Sequence, residues 1–311
     1  MLNAKGFSLP LSMAAGALGY FVCHSLPLSP AARSTITTAI HYIQPTLIFL
    51  MLTLTFCRIR PSDMKLRGWQ GWLLAFQTAA AALLCMLHQT TAGDISRLLL
   101  QSAMLCFLCP TATAAAVVTA KLGGNAGTLT AYTMLANLCA ATLYPALIPI
   151  VNPAGSIGFW LSFRMIVRRV FPLLICPLAA GLLLRRFLPL LPRMLDRHPD
   201  IPFHLWVVSL ALAIAVTTRI AVHAQLTLAA CLATAAGSLI ACALQFAAGR
   251  AIGRHYDDHI SAAQACGQKN TILAIWVGYT FLHPLTALAG GFYSIWHNLY
   301  NAIQLAQKDK Q

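Results

Sequence analysis

Long apolar runs separated by short polar gaps dominate the chain. Ten runs stand out, over 8–26, 38–57, 69–89, 96–120, 125–151, 165–189, 203–220, 225–250, 260–282 and 285–306. Each is near the ~20 residues a helix needs to cross the hydrocarbon layer of a bilayer. The gaps are charged or Pro-rich, as in RIRPSDMKLR at 58–67, RRFLPLLPRMLDRHPD at 185–200 and GRHYDDH at 253–259. The pattern predicts an all-α integral membrane protein of ten transmembrane helices. The first run follows Lys5 as the apolar part of a signal peptide would, but it continues past any small-x-small cleavage site and is read as the first membrane helix.

Two of the runs are interrupted. The fourth carries Pro110 in its middle, followed by Thr111 and Thr113, and the ninth carries Gly267, Gln268, Lys269 and Asn270. Proline removes a backbone donor and clashes with the preceding turn, so a break is expected near Pro110. The two interruptions lie about half the chain apart. Paired interruptions in two halves are the sequence signature of a transporter built from inverted repeats. Five spans per half is an odd number, so the second half enters the membrane inverted relative to the first.

Composition narrows the picture. The chain is 311 residues long, 59% hydrophobic and 9% charged, against about 25% charged in soluble domains. Its seven acids are all Asp (Asp63, Asp94, Asp196, Asp200, Asp257, Asp258 and Asp309) and all fall in gaps or at the tail. No predicted span carries a carboxylate. The net charge of +14 comes from Lys and Arg scattered over short loops, which excludes a nucleic-acid face. Fourteen basic residues fall on the side of the N-terminus and six on the other, so both termini are expected in the cytoplasm, with the bacterial plasma membrane as the setting. Ten cysteines lie almost wholly in apolar stretches and read as packing residues. Cys106 and Cys109 form a CxxC inside a span, where packing is expected over redox or metal chemistry. His255 and His259 are four apart beside Asp257 and Asp258, and a helix cap is expected there rather than a metal. Arg168 and Arg169 are expected to anchor the sixth span at the interface. No resident metal and no cofactor are expected.

The remaining basic residue, Lys269, belongs to neither side. It lies 11 residues after Asp258, roughly 16 Å along a helix and near the middle of the membrane. Its stem of about 6 Å reaches neither surface. A central lysine costs about 2.5–3.5 kcal/mol on insertion scales and usually faces a bundle interior or cavity. Three roles stand open: a built-in cation bonded to the unwound carbonyls of the breaks, a ligand or proton carrier for an anionic substrate, or a static tether.

Three stretches give the chain a resemblance to the bile acid:sodium symporter family. CPTATAAAVVTAKLGGN at 109–125 is similar to the family's Cys-Pro-Gly-Gly-Thr-Ala-Ser-Asn segment. ACGQKN at 265–270 is similar to its Glu-Val-Gly-Met-Gln-Asn segment. YSIWHNLYN at 293–301 is similar to its Ser-Val-Trp-His-Asn segment. RPSDM at 60–64 also fits. The resemblance implies a panel of helices 1, 2, 6 and 7 (1–57 and 152–220) on a core of helices 3–5 and 8–10 (58–151 and 221–311). Helices 4 and 9 are broken and cross near Pro110 and Gly267, and the core moves against the panel in alternating access. It implies organic anions as substrates and two sodium ions at the crossing.

The departures bear on the ions. The family's Ser and Asn fall on Ala115 and Ala116, its helix-5 serine on Leu129, its shared sodium-ligand glutamate on Ala265 and its sodium-ligand glutamine on Lys269. Thr133 and Gln77 are kept. Sodium needs several hard oxygens, and a cation beside Lys269 meets like charge in a low dielectric. Neither site is expected to work as in the family. Gln77 is expected to brace Lys269 or a carbonyl, with Thr133 and Gln268 beside it.

Substrate residues implied by the resemblance or placed at the breaks are Thr111, Thr113, Asn270, His297 and Asn298. At the breaks, hydrogen-bonding side chains beside helix ends favour anions, although they also serve to satisfy freed backbone groups. The expectation is a secondary transporter of a small organic anion, independent of sodium and not an enzyme. The alternatives are sodium symport through rebuilt sites and a membrane ligand sensor without transport.

Overall fold

The computed structural model describes residues 4–27, 29–59, 61–153, 157–223 and 227–308. Arg60, Asp309 and Lys310, used in the charge pattern above, lie outside them. The described chain is helical, and its one β-bridge joins Thr111 to Lys269. The helices are α1 (Ala4–Ser25), α2 (Pro30–Arg58), α3 (Gly68–Thr90), α4 (Asp94–Leu108), α5 (Ala115–Leu122), α6 (Ala126–Val151), α7 (Phe159–Phe187), α8 (Leu190–Arg197), α9 (Ile201–His223), α10 (Leu228–Arg254), α11 (His259–Gly267), α12 (Thr271–Phe281) and α13 (Pro284–Lys308). Six of them, α2, α3, α6, α7, α9 and α10, are long and apolar enough to span a bilayer.

Local chemistry explains where the helices start and stop. The Ser29 hydroxyl accepts from Ala32 N at 3.2 Å, with Pro30 at the first helical position, a favoured arrangement that starts α2 eight residues before the apolar run. The gap at 185–200 holds α8, which the apolar pattern did not announce; it buries Leu195 and exposes Leu190 and Met194. Asn125 caps α6 by accepting from Gly127 N at 2.9 Å and Thr128 N at 3.0 Å. The expected cap at Asp258 takes a different form. Asp258 occupies the N-cap position of α11 without a side-chain cap bond, and its Oδ2 accepts from the Thr128 hydroxyl at 3.4 Å. His255 closes α10 and His259 opens α11, so the two histidines do not share a helical face. No metal-holding group of three or more side chains occurs among the described residues.

Two compact units divide the chain. One comprises Met1–Ile59, Ile175–His223 and Asn298–Gln311, and the other Arg60–Leu174 and Ala224–His297. In the first, α9 packs against both α1 and α2, and Arg58 pairs with Asp196 at 3.1 Å. In the second, α10 packs against α4 and α11, and α3, α5 and α6 close around them. Backbone approach is tight where α10 meets α11: a Cβ on Gly249 would come within 2.6 Å of Ala262 O. Small residues are how membrane helices obtain such contact. Gly249→Val is therefore expected to lower stability by about 1–3 kcal/mol, the usual cost of overpacking; an unchanged melting temperature in detergent would refute that packing.

Candidate functional site at the helix crossing

Both interrupted runs break where the sequence places the interruptions, for different reasons. Cys109, ahead of Pro110, adopts φ −63° and ψ 128°, the extended state a pre-proline residue is pushed into, and α4 ends. In the second, Gln268 turns extended at φ −92° and ψ 105°. Helix resumes once Asn270 Oδ1 accepts from Leu273 N at 3.2 Å. Gly267 is required here because a Cβ would overlap the Phe246 ring.

The two extended links lie side by side as a two-residue antiparallel ribbon. Ala112 N donates to Gln268 O at 2.8 Å and Asn270 N donates to Pro110 O at 2.9 Å, which flanks the facing pair Thr111 and Lys269. Facing residues of a ribbon share one face and their neighbours take the other. Thr111 and Lys269 are 0% and 1% exposed. On the other face, Ala112 and Asn270 are partly exposed, as is Thr113 just beyond the ribbon, while Gln268 is buried.

Every carbonyl from Ala265 to Asn270 has a donor from within the protein. The Thr111 hydroxyl donates to Ala265 O at 2.6 Å. Gln77 Nε2 donates to Cys266 O at 3.4 Å, and the Tyr293 hydroxyl to Gly267 O at 2.7 Å. Ala112 N serves Gln268 O, Thr271 N serves Lys269 O at 3.0 Å, and the Cys109 thiol serves Asn270 O at 2.9 Å. Gln77 is held in turn by Tyr132, whose hydroxyl donates to Oε1 at 2.8 Å, and by Gln245 Oε1, which accepts from Nε2 at 3.2 Å. Gln245 Nε2 reaches the Tyr293 hydroxyl at 3.1 Å. The network of Gln77, Tyr132, Gln245 and Tyr293 ties α3, α6, α10 and α13 to the end of α11 without using a charge.

Lys269 takes no part in that network. Its Nζ is buried and has no hydrogen-bond partner among the described residues, and no described carboxylate pairs with it. Its electrostatic neighbours are the thiols of Cys266, Cys109, Cys106 and Cys139, with Cys242 also in range. The carbonyls it was expected to bond are met by neutral donors instead.

The other departures from the family pattern also gather in one place. Ala115, Ala116, Leu129 and Ala265 pack in a single apolar cluster with Trp69, Leu73, Tyr132 and Cys266. Thr133, kept in the sequence, donates back to Leu129 O within α6 at 2.9 Å. Gln268 is 1% exposed and its Oε1 has no described partner. His297 is buried on α13 with its ring edge-to-face on Tyr293 at 5.6 Å, and its Nδ1 has no described partner. Asn298 follows it, is 1% exposed, and belongs to the other compact unit. Arg169 sits over the Trp276 ring at 4.7 Å. Tyr132, Gln245 and Tyr293 were not singled out from the sequence. The lone Gln245 within the apolar stretch LIACALQFAAGR was the available signal, since a buried amide needs partners.

A multi-pass helical membrane protein whose two broken helices meet link to link is built like a secondary transporter. A model of the sodium bile acid symporter family matches residues 36–241, about two thirds of the chain, and the protein belongs to that family. Members of the family are membrane transporters rather than enzymes. The matched stretch includes the first break and ends before the second, so Lys269 lies beyond it. A search among curated proteins gives no match.

Proposed function

We propose that the protein carries a small organic anion across the membrane independently of sodium, with Lys269 as a resident positive charge in place of a bound cation. The observation that supports this reading is the state of the carbonyls at the second break. All six from Ala265 to Asn270 accept from neutral donors in the protein. A sodium ion would have to displace or share those hydrogens. It would also meet the Lys269 ammonium without a carboxylate to offset either charge. Lys269 lies two residues past the end of α11 and faces Thr111 in the link after α4, and the carbonyl ends of helices favour a cation.

In this reading the chain forms ten spans, with α4/α5 and α11/α12 each counting as one broken span, in an inverted 5+5 repeat working by alternating access. Both termini face the cytoplasm of a bacterial cell. Thr113 and Asn270, partly exposed at the ribbon, are the first contacts for substrate, with His297 and Asn298 as further candidates. Thr111 and Gln77 act as braces through the carbonyls they bond.

Purified protein compared in choline chloride and sodium chloride at matched ionic strength tests the reading. The expected result is no sodium-dependent rise in melting temperature, and equal organic-anion uptake into proteoliposomes with either cation. A saturable sodium shift would mean sodium symport through rebuilt sites and would overturn the proposal. Anion binding without flux would make the protein a sensor.

A further inference from the structure

We propose that α8 is a binding site for anionic phospholipid, with Arg193 and Arg197 on the headgroup phosphate and Leu190 and Met194 in the acyl layer beside it. The site is apart from the helix crossing and does not depend on what the protein carries.

Chain length places α8. Two residues separate it from α7 and three from α9, and both of those helices are long and apolar enough to cross a bilayer. A link that short stays at the membrane surface where the two helices emerge. Its side chains sort by face. Leu195 is buried, and α8 packs against α2. Leu190 and Met194, four residues apart and so on one face, are 65% and 61% exposed. Phe187 and Leu188, just ahead of them, are also exposed. Arg193 and Arg197 are four apart as well and form a second exposed face. Arg197 falls one heptad after Leu190, so the basic face borders the apolar one. Exposed apolar side chains bordered by arginine mark a helix that lies in the membrane interface. There the arginine stems run along the acyl layer and the guanidinium groups reach the headgroups.

Charge selects the lipid. Asp196, the acid within α8, is engaged by Arg58 at 3.1 Å. The last carbonyls of α2 are engaged by Arg185, which donates to Cys57 O at 3.3 Å and Arg58 O at 3.2 Å. No described carboxylate pairs with Arg193 or Arg197. A guanidinium presents a planar fork of donors that matches phosphate. Two of them on one face carry positive charge that a zwitterionic headgroup does not neutralise. An anionic phospholipid supplies the missing charge together with acyl chains for Leu190 and Met194.

The test uses the whole chain in neutral detergent. Short-chain phosphatidylglycerol and phosphatidylcholine of equal acyl length are titrated while the melting temperature is followed, since a ligand of the native state raises it by mass action. Phosphatidylglycerol is expected to give the larger, saturable rise. Its apparent affinity should fall at least tenfold in Arg193→Gln/Arg197→Gln and survive in Lys65→Gln/Arg67→Gln, which removes two exposed cations elsewhere. Arg193 and Arg197 hold nothing in the described fold, so the lipid-free melting temperature should not change. A second readout needs no variant: added salt should weaken the phosphatidylglycerol rise in wild type and leave the phosphatidylcholine response alone. Equal responses to the two lipids overturn the inference. So does an affinity that Arg193→Gln/Arg197→Gln leaves unchanged, or one that Lys65→Gln/Arg67→Gln lowers equally, which would be diffuse charge attraction. The same rise from glycerol phosphate alone would make this a free-phosphate site and also overturn it.

Discussion

Lys269→Met is expected to abolish transport while leaving the purified protein at least as stable as wild type in gluconate buffer. The two halves of that result come from one observation. Lys269 Nζ is buried and donates to no described group, so replacing it removes no hydrogen bond from the fold. What it removes is a central charge that costs about 2.5–3.5 kcal/mol to place in the membrane. Methionine has nearly the same length and fills the same volume, and such swaps usually cost less than about 1.5 kcal/mol. Stability is therefore expected to hold or rise. Transport is expected to fall by about a hundredfold or more, because a desolvated charge partner is typically worth 2–5 kcal/mol to the ion it holds. Melting temperature and flux of a panel of organic anions, measured on the same preparation, read both halves. Wild-type flux would show that the ammonium has no part in turnover. A large fall in stability with intact flux would make Lys269 the static tether. Stability lost at functional sites is a common exchange in proteins, and here the exchange is confined to one atom.

How far the sequence carried the reading is visible at the two breaks. Both were legible because backbone interruption has a local cause. Pro110 forces its neighbour Cys109 extended, and Gly267 with three polar residues has no reason to stand in an apolar run. That Lys269 would be enclosed by protein was legible from its distance along the chain from Asp258, and it is buried. The network at the break was not legible, because its members come from α3, α4, α6, α10 and α13, and no local pattern says which of these turns a donor toward the break. Gln77 was expected at Lys269 or a carbonyl, and it bonds the Cys266 carbonyl. Tyr293 and Thr111 complete the job at Gly267 and Ala265, and that left the ammonium outside the network. The thiols read only as packing residues, since apolar runs tolerate cysteine anywhere. The α8 helix was missed because eight residues that follow Pro189 and include Pro192 carry too short a period to detect.

The second large effect is expected from Ala265→Glu, which places at this point the acid that the resemblance assigns to it. By resemblance this residue would be the step back toward a sodium site. Packing predicts the opposite for the single change. Ala265 is 0% exposed and lies in the cluster with Ala115, Ala116, Leu129, Trp69 and Leu73, so the positions that the resemblance assigns to oxygen ligands form an apolar core here. A carboxylate placed there is desolvated, has no donor and must displace close-packed side chains, for which about 3–5 kcal/mol is the expected loss. The fold is expected to be lost or strongly destabilised in sodium and in choline alike. Sodium dependence should return only when Ala115→Ser, Ala116→Asn, Leu129→Ser and Lys269→Gln accompany the acid, because a cation needs the whole oxygen shell at once. Melting temperature of the single and the fivefold variant, with and without sodium, decides the matter. A well-folded Ala265→Glu protein stabilised by sodium on its own would mean that this cluster is still a cation cage, and that the apolar residues around it line the cage rather than fill it.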